Sequence, residues 1–178
     1  MIITGNALNV LTAMSYRGIG RAWIVNNIQG NEPTDKIVDL LCQRAKEGRL
    51  MSIHEFEERK QSIGSQLEQL AGVIDGVVAI GDPNFPFHRG LVKNSERPVA
   101  LFYRGDLCLL EKQNRNVAVI GLLNPDKDIE ILEKRVVSSL VSYGATIVSG
   151  LAFGCDSICL LYTSDAADEL DGVDLGGR

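Results

Sequence analysis

Between Val117 and Ser149 the sequence reads as strand, helix and strand in succession, and this interval constrains the fold more than any other. Val117-Ala118-Val119-Ile120 is a short apolar run closed by Gly121. Thr146-Ile147-Val148 is a second, and it runs into Ser149-Gly150-Leu151-Ala152-Phe153-Gly154. Between them Ile129, Leu132, Val136, Leu140 and Val141 recur at helical spacing, with Asn124 as a cap candidate, Pro125 suited to the first turn and Gly144 as the stop. An interval of about thirty residues is the size of one βαβ unit, whose strands lie parallel. Open parallel sheets bind ligands beyond the carboxyl ends of their strands, so the loops after Ile120 and Val148 are the places to look. Neither is a dinucleotide fingerprint, because the glycines lack the G-x-G-x-x-G spacing. That argues against a nicotinamide or flavin enzyme, and no cofactor is expected.

Upstream the period is helical. Leu8, Leu11 and Met14, then Ala22, Trp23, Val25 and Ile28, predict two short helices around Arg17-Gly18-Ile19-Gly20. A further helix is expected from Thr34 to Gly48, with Thr34 and Asp35 as cap candidates. Another is expected from Ser52 to Leu70, where Ser52 and Glu55 have the spacing of a capping box. Then Val77-Val78-Ala79-Ile80 and Val99-Ala100-Leu101-Phe102-Tyr103 read as strands, the first closed by Gly81-Asp82-Pro83-Asn84. The expected fold class is α/β: a small helical module over residues 1–70, then the first part of a Rossmann-like parallel sheet over residues 71–158.

With 45% hydrophobic and 23% charged residues in a chain of 178, a packed core is expected. No apolar run is long enough to span a bilayer, and the first residues lack the basic start of a signal peptide, so a cytoplasmic protein is expected. Cys42, Cys108, Cys155 and Cys159 show no metal-ligand spacing and are expected as reduced, packed thiols. The net charge of −5 is uneven: in the last twenty residues five carboxylates against Arg178 account for −4 of it, which leaves −1 for residues 1–158. That terminal stretch, CLLYTSDAADELDGVDLGGR, resembles a translated sequencing adapter, and residues 159–178 are expected to be a non-native tail.

Three stretches carry a family resemblance. Gly81-Asp82-Pro83-Asn84-Phe85-Pro86, Pro98 to Leu107 with its Arg104-Gly105 turn, and Ile147 to Ile158 with Ser149-Gly150-Leu151-Ala152-Phe153-Gly154-Cys155-Asp156 are similar, in order and spacing, to segments of the DprA/Smf DNA-processing family. The resemblance covers about residues 75–158. It implies a protein without a catalytic step that binds and protects incoming single-stranded DNA and loads the RecA recombinase during natural transformation, with a homodimer open for the full-length protein. One departure stands out: where the family usually has glycine-serine-arginine, this sequence has Gly121-Leu122-Leu123-Asn124, losing a hydroxyl and a charge suited to phosphate. Lys127, Lys134 and Arg135 are alternative cations.

The expected nucleic-acid contacts are Gly121, Asn124, Ser149, Gly150, Leu151, Ala152 and Gly154, since glycines let backbone N–H groups approach an anion at the start of a helix. The same glycines would serve a ligand-free tight turn. Gly18 and Gly20 resemble a helix-hairpin-helix turn able to hold a phosphate, or they form a compact turn with no ligand. His54 and His88 have no serine or cysteine placed beside them by spacing, and no catalytic or metal site is expected. Two other functions stay open: a nucleotide sensor or nucleotide-processing enzyme of the same superfamily, and a protein-docking module built on the N-terminal helices. The fragment itself is expected to bind poorly, because parallel sheets need both faces covered.

Overall fold

The computed structural model describes residues 1–45, 51–88, 90–161 and 163. They form two compact units, Met1–Glu111 and Lys112–Arg178.

The first unit opens with strand β1 (Ile2–Ile3), followed by helices α1 (Gly5–Met14), α2 (Arg21–Asn27), α3 (Thr34–Arg44) and α4 (Ile53–Glu68) and strands β2 (Gly76–Ala79) and β3 (Ala100–Tyr103), with a 3-10 turn at Leu107–Leu110. Local chemistry fixes the helix starts. Thr4 accepts the Ala7 N–H at 2.9 Å and donates its hydroxyl to Asp82 at 2.6 Å; Ser52 accepts the Glu55 N–H at 3.0 Å. Helix α3 is entered differently from expectation. The capping position is Pro33, and Thr34 is already helical, its hydroxyl donating to Glu57 at 2.7 Å. Asp35 remains in the first turn, where a carboxylate favours the helix dipole. The helix ends at Arg44, with Ala45 extended at its carboxyl cap, short of the Gly48 stop expected from sequence; residues 46–50 lie outside the described residues.

Strand β2 is central and buried at every position, as its unbroken apolar run requires. Strand β1 lies parallel to it, pairing Ile2 with Gly76, while β3 lies antiparallel, pairing Gly76 with Tyr103 and Ala79 with Ala100. Within the expected α/β fold this sheet is mixed, with β3 a local antiparallel departure: the described residues between β2 and β3 contain no helix, so no crossover returns the chain to the same end. Ala7, Val10, Ile24, Ile37, Leu41 and Phe56 close over this sheet, so the N-terminal helices and β2 share one core.

In the second unit β4 (Arg115–Ala118), α5 (Lys127–Ser142) and β5 (Ala145–Val148) form the expected βαβ unit, with Arg115 opposite Ala145 and Ala118 opposite Val148. Two local expectations are corrected. The cap of α5 is Asp126, which accepts the Ile129 N–H at 2.9 Å; Asn124 and Pro125 precede the helix. The face turned inward follows Ile129, Glu133, Val137 and Val141, with Val137 fully buried, whereas Leu132 and Val136 are exposed. A glutamate on the inner stripe breaks its apolar period, so the more continuous apolar pattern in the sequence belongs to the neighbouring stripe.

Candidate nucleic-acid interface

The carboxyl ends of β4 and β5 lie side by side, and hydrogen bonds tie their two loops together. The Val119 N–H donates to the Val148 carbonyl at 2.9 Å, the Ser149 hydroxyl to the Val119 carbonyl at 2.8 Å, and the Cys155 N–H to the Leu122 carbonyl at 3.0 Å. Two glycines are required where the loops touch. A Cβ on Gly121 would meet the Cys155 side chain at 2.6 Å. One on Gly154, whose φ is +81°, would lie 2.3 Å from the Leu122 carbonyl oxygen. Gly121, Ser149, Gly150 and Gly154 are thereby brought into one assembly, with Leu151 and Ala152 in the same loop. Asn124 lies exposed in the other loop.

The backbone amides of this loop are already divided in use. Asp156, 8% exposed, accepts the Gly150 N–H at 3.1 Å and faces the Ala152 N–H at 3.5 Å. Its carboxylate thus occupies part of the cradle expected for an anion, a role that residue spacing does not reveal. The Leu151 and Phe153 N–H groups have no intramolecular acceptor among the described residues. Leu151 holds a positive φ of 55°, and both Leu151 and Phe153 project into solvent, Phe153 at 87% exposure. The loop therefore offers two open donors, an aromatic ring and an apolar side chain, and it withholds Ser149 and Gly150. Lys127, Lys134 and Arg135 are exposed on α5.

Behind the loop, residues 155–161 are helical and bury Cys155 and Cys159. The Glu133 carboxylate is closed off from solvent with no well-placed donor. It faces the Cys155 thiol and pushes that thiol's pKa up, as burial does for Cys159. All four cysteines are free, and no cluster of metal-ligating side chains occurs among the described residues.

Elsewhere, Gly18 takes a φ of +84° in the turn before α2, and Gly20 stands at the cap position of that helix. These two belong to the first unit, and the β4 and β5 loops to the second. His54 lies 3.3 Å from Glu58 on the exposed face of α4, and among the described residues neither histidine is hydrogen-bonded to a serine or cysteine. Asp82, in the first of the three resembling stretches, ties the Thr4 hydroxyl and the Ala79 N–H to one carboxylate oxygen.

A protein-family model described as DNA recombination-mediator protein A matches residues 76–168. The match passes Ile158 into the stretch read above as foreign; of that stretch, residues 162 and 164–178 lie outside the described residues. The DNA processing protein DprA of Bacillus subtilis is 30% identical over 100 residues, which are 56% of this chain and 33% of that protein. The X-ray structure of DNA processing protein A from Streptococcus pneumoniae is similar with a TM-score of 0.58 at 22% identity, over 93% of this chain and 56% of that one. The chain thus spans a third of the first relative and just over half of the second. At that identity the second likeness shows a shared α/β, Rossmann-like fold.

Proposed function

The chain belongs to the DNA recombination-mediator protein A family, and on that premise we propose that it is part of a protein that binds single-stranded DNA at the loops after β4 and β5. In this reading the longer protein, self-associated, protects incoming strands and passes them to the RecA recombinase in the cytosol during natural transformation. The observation that supports it best is the loop of residues 149–154, where the Leu151 and Phe153 amides stay open beside an exposed aromatic ring. A backbone phosphate is suited to such amides, and a ring of this kind stacks on any base, which gives binding without sequence reading. No described helix is long and apolar enough to cross a membrane.

Fluorescence anisotropy tests the proposal. Labelled oligo-dT is expected to bind with an affinity that falls steeply with salt, while a labelled mononucleotide offered to this loop binds far more weakly. Phe153→Ala is expected to weaken the oligo-dT complex by roughly 1–3 kcal/mol, the range for one stacked base. Absence of oligo-dT binding at low ionic strength by the full-length protein would overturn the reading.

A further inference from the structure

The first unit holds an open cavity of about 870 Å³ whose wall carries three arginines, Arg17, Arg44 and Arg59, against one carboxylate, Glu55. They come from three places in the chain: the turn after α1, the last turn of α3 and the middle of α4. Leu41, Ile19 and Met51 supply apolar wall. Arg59 is held in place. Its guanidinium lies 4.2 Å from the centre of the Tyr16 ring and donates to the Ser15 carbonyl and hydroxyl oxygens at 3.4 Å, and the Tyr16 ring is itself stacked on buried Phe56. Arg17 and Arg44 are exposed and have no hydrogen-bond or ion-pair partner among the described residues.

Among the described lining residues, three like charges against a single carboxylate favour an anion between them. The guanidinium fork matches the oxygens of a phosphate, and the volume lies within the range of small-molecule and nucleotide pockets. Between Arg135 and Arg178 there is no lysine or arginine, so the loop after β5 brings amides and an aromatic ring, and the described cations of its own unit nearest in sequence are those of α5. Binding of nucleotide phosphates draws much of its affinity from charge neutralisation, and this arginine cluster is able to supply it within the first unit.

We propose that this cavity is a second site, which takes the phosphate of a nucleotide, either a diester within a single strand or the phosphate of a free mononucleotide. The ligand class rests on the single-strand reading above; the location does not. The fixed Arg59 presents a planar guanidinium on which a base can stack, and Arg17 and Arg44 close on the phosphate from the rim.

The test uses the full chain with fluorescein-labelled oligo-dT and a fluorescent mononucleotide, comparing the parent with Arg17→Gln/Arg44→Gln and with Phe153→Ala. The glutamine pair is expected to weaken binding about tenfold or more and to flatten the slope of log K against log salt by about 1.4, or 0.7 for each lost contact on a single strand. Arg17→Lys/Arg44→Lys, which keeps the charge, is expected to retain the slope while losing affinity, and it stands in if the glutamine pair shifts the melting temperature. A loss confined to oligo-dT identifies the strand as the source of the phosphate; a loss on the mononucleotide identifies a free nucleotide. If both probes bind the glutamine pair as they bind the parent, the cavity is not a phosphate site. Loss in Phe153→Ala alone would sink this inference and keep the loop reading, whereas loss in the glutamine pair alone would do the reverse.

Discussion

Gly154 carries the contact between the two loops, because the space a Cβ would need is filled by the Leu122 carbonyl oxygen and the backbone is left-handed there. Gly154→Ala is therefore expected to destabilise the second unit by about 1–3 kcal/mol, measured as a shift in the urea midpoint; an unchanged midpoint would show that the loops are not in contact. Cys108 gives a residue-scale prediction of a different kind. It is exposed, yet the Asp106 carboxylate beside it accepts a hydrogen bond from its thiol and raises its pKa above the ordinary thiol value. A raised value means less thiolate at a given pH, so alkylation of Cys108 should be slower at pH 8 than that of an ordinary exposed thiol. Asp106→Asn keeps a capping side chain at the 3-10 turn but removes the charge, and it should move the rate profile to lower pH. Mass spectrometry of iodoacetamide adducts against pH reads this directly, and superimposable profiles for parent and variant would refute it.

At the scale of elements, α5 separates what pattern reading supplies from what packing decides. Asp126→Ala should cost about 1 kcal/mol, a typical loss of a helix cap, and Asn124→Ala should stay within about 0.5 kcal/mol. The same contrast applies to its faces. Val137→Ala removes fully buried methyl groups and should cost about 2 kcal/mol, whereas Leu132→Ala, on the exposed side, should stay within about 0.5 kcal/mol. Equilibrium denaturation of the four variants decides both points, and a Leu132 effect larger than the Val137 effect would return the helix to the stripe read from sequence. Ser52, by contrast, caps α4 as its spacing to Glu55 indicates, because a capping interaction is local and needs no tertiary partner.

At the scale of the molecule, the principal apolar core lies wholly within the first unit, where it joins helices to the three-stranded sheet. Among the described residues, the second unit buries Val137, Cys155 and Cys159 around a two-stranded parallel sheet, while Ile120, Leu122, Leu123 and Leu151 face solvent. A two-stranded sheet with so little covered is marginal by itself. Native-state hydrogen exchange should therefore show β4 and β5 amides exchanging well before those of β2, as a separate and less stable cooperative unit. Equal protection in the two units would mean that the second is stabilised by contacts beyond those described.

Sequence alone determined the helices α1 to α5, the strands β2 to β5 and the order of the loops, whereas the two-residue β1 and the 3-10 turn at Leu107–Leu110 left no periodic signal. Apolar runs such as Val77–Ala79 and Thr146–Val148, the Ser52 cap and the Gly144 stop are local signals, set by side-chain period and backbone freedom within a few residues. The assembly of Gly121, Ser149 and Gly154 was legible because a βαβ unit necessarily brings its two strand ends together. Tertiary structure decided what distance along the chain conceals. It gave Asp156 the Gly150 amide, turned Glu133 and Val137 inward in place of Leu132 and Val136, and set β3 antiparallel to β2. It also gathered Arg17, Arg44 and Arg59 at one cavity from three separate elements. Each of these depends on which groups meet after the chain has folded back on itself, and no periodicity in the sequence encodes such a meeting.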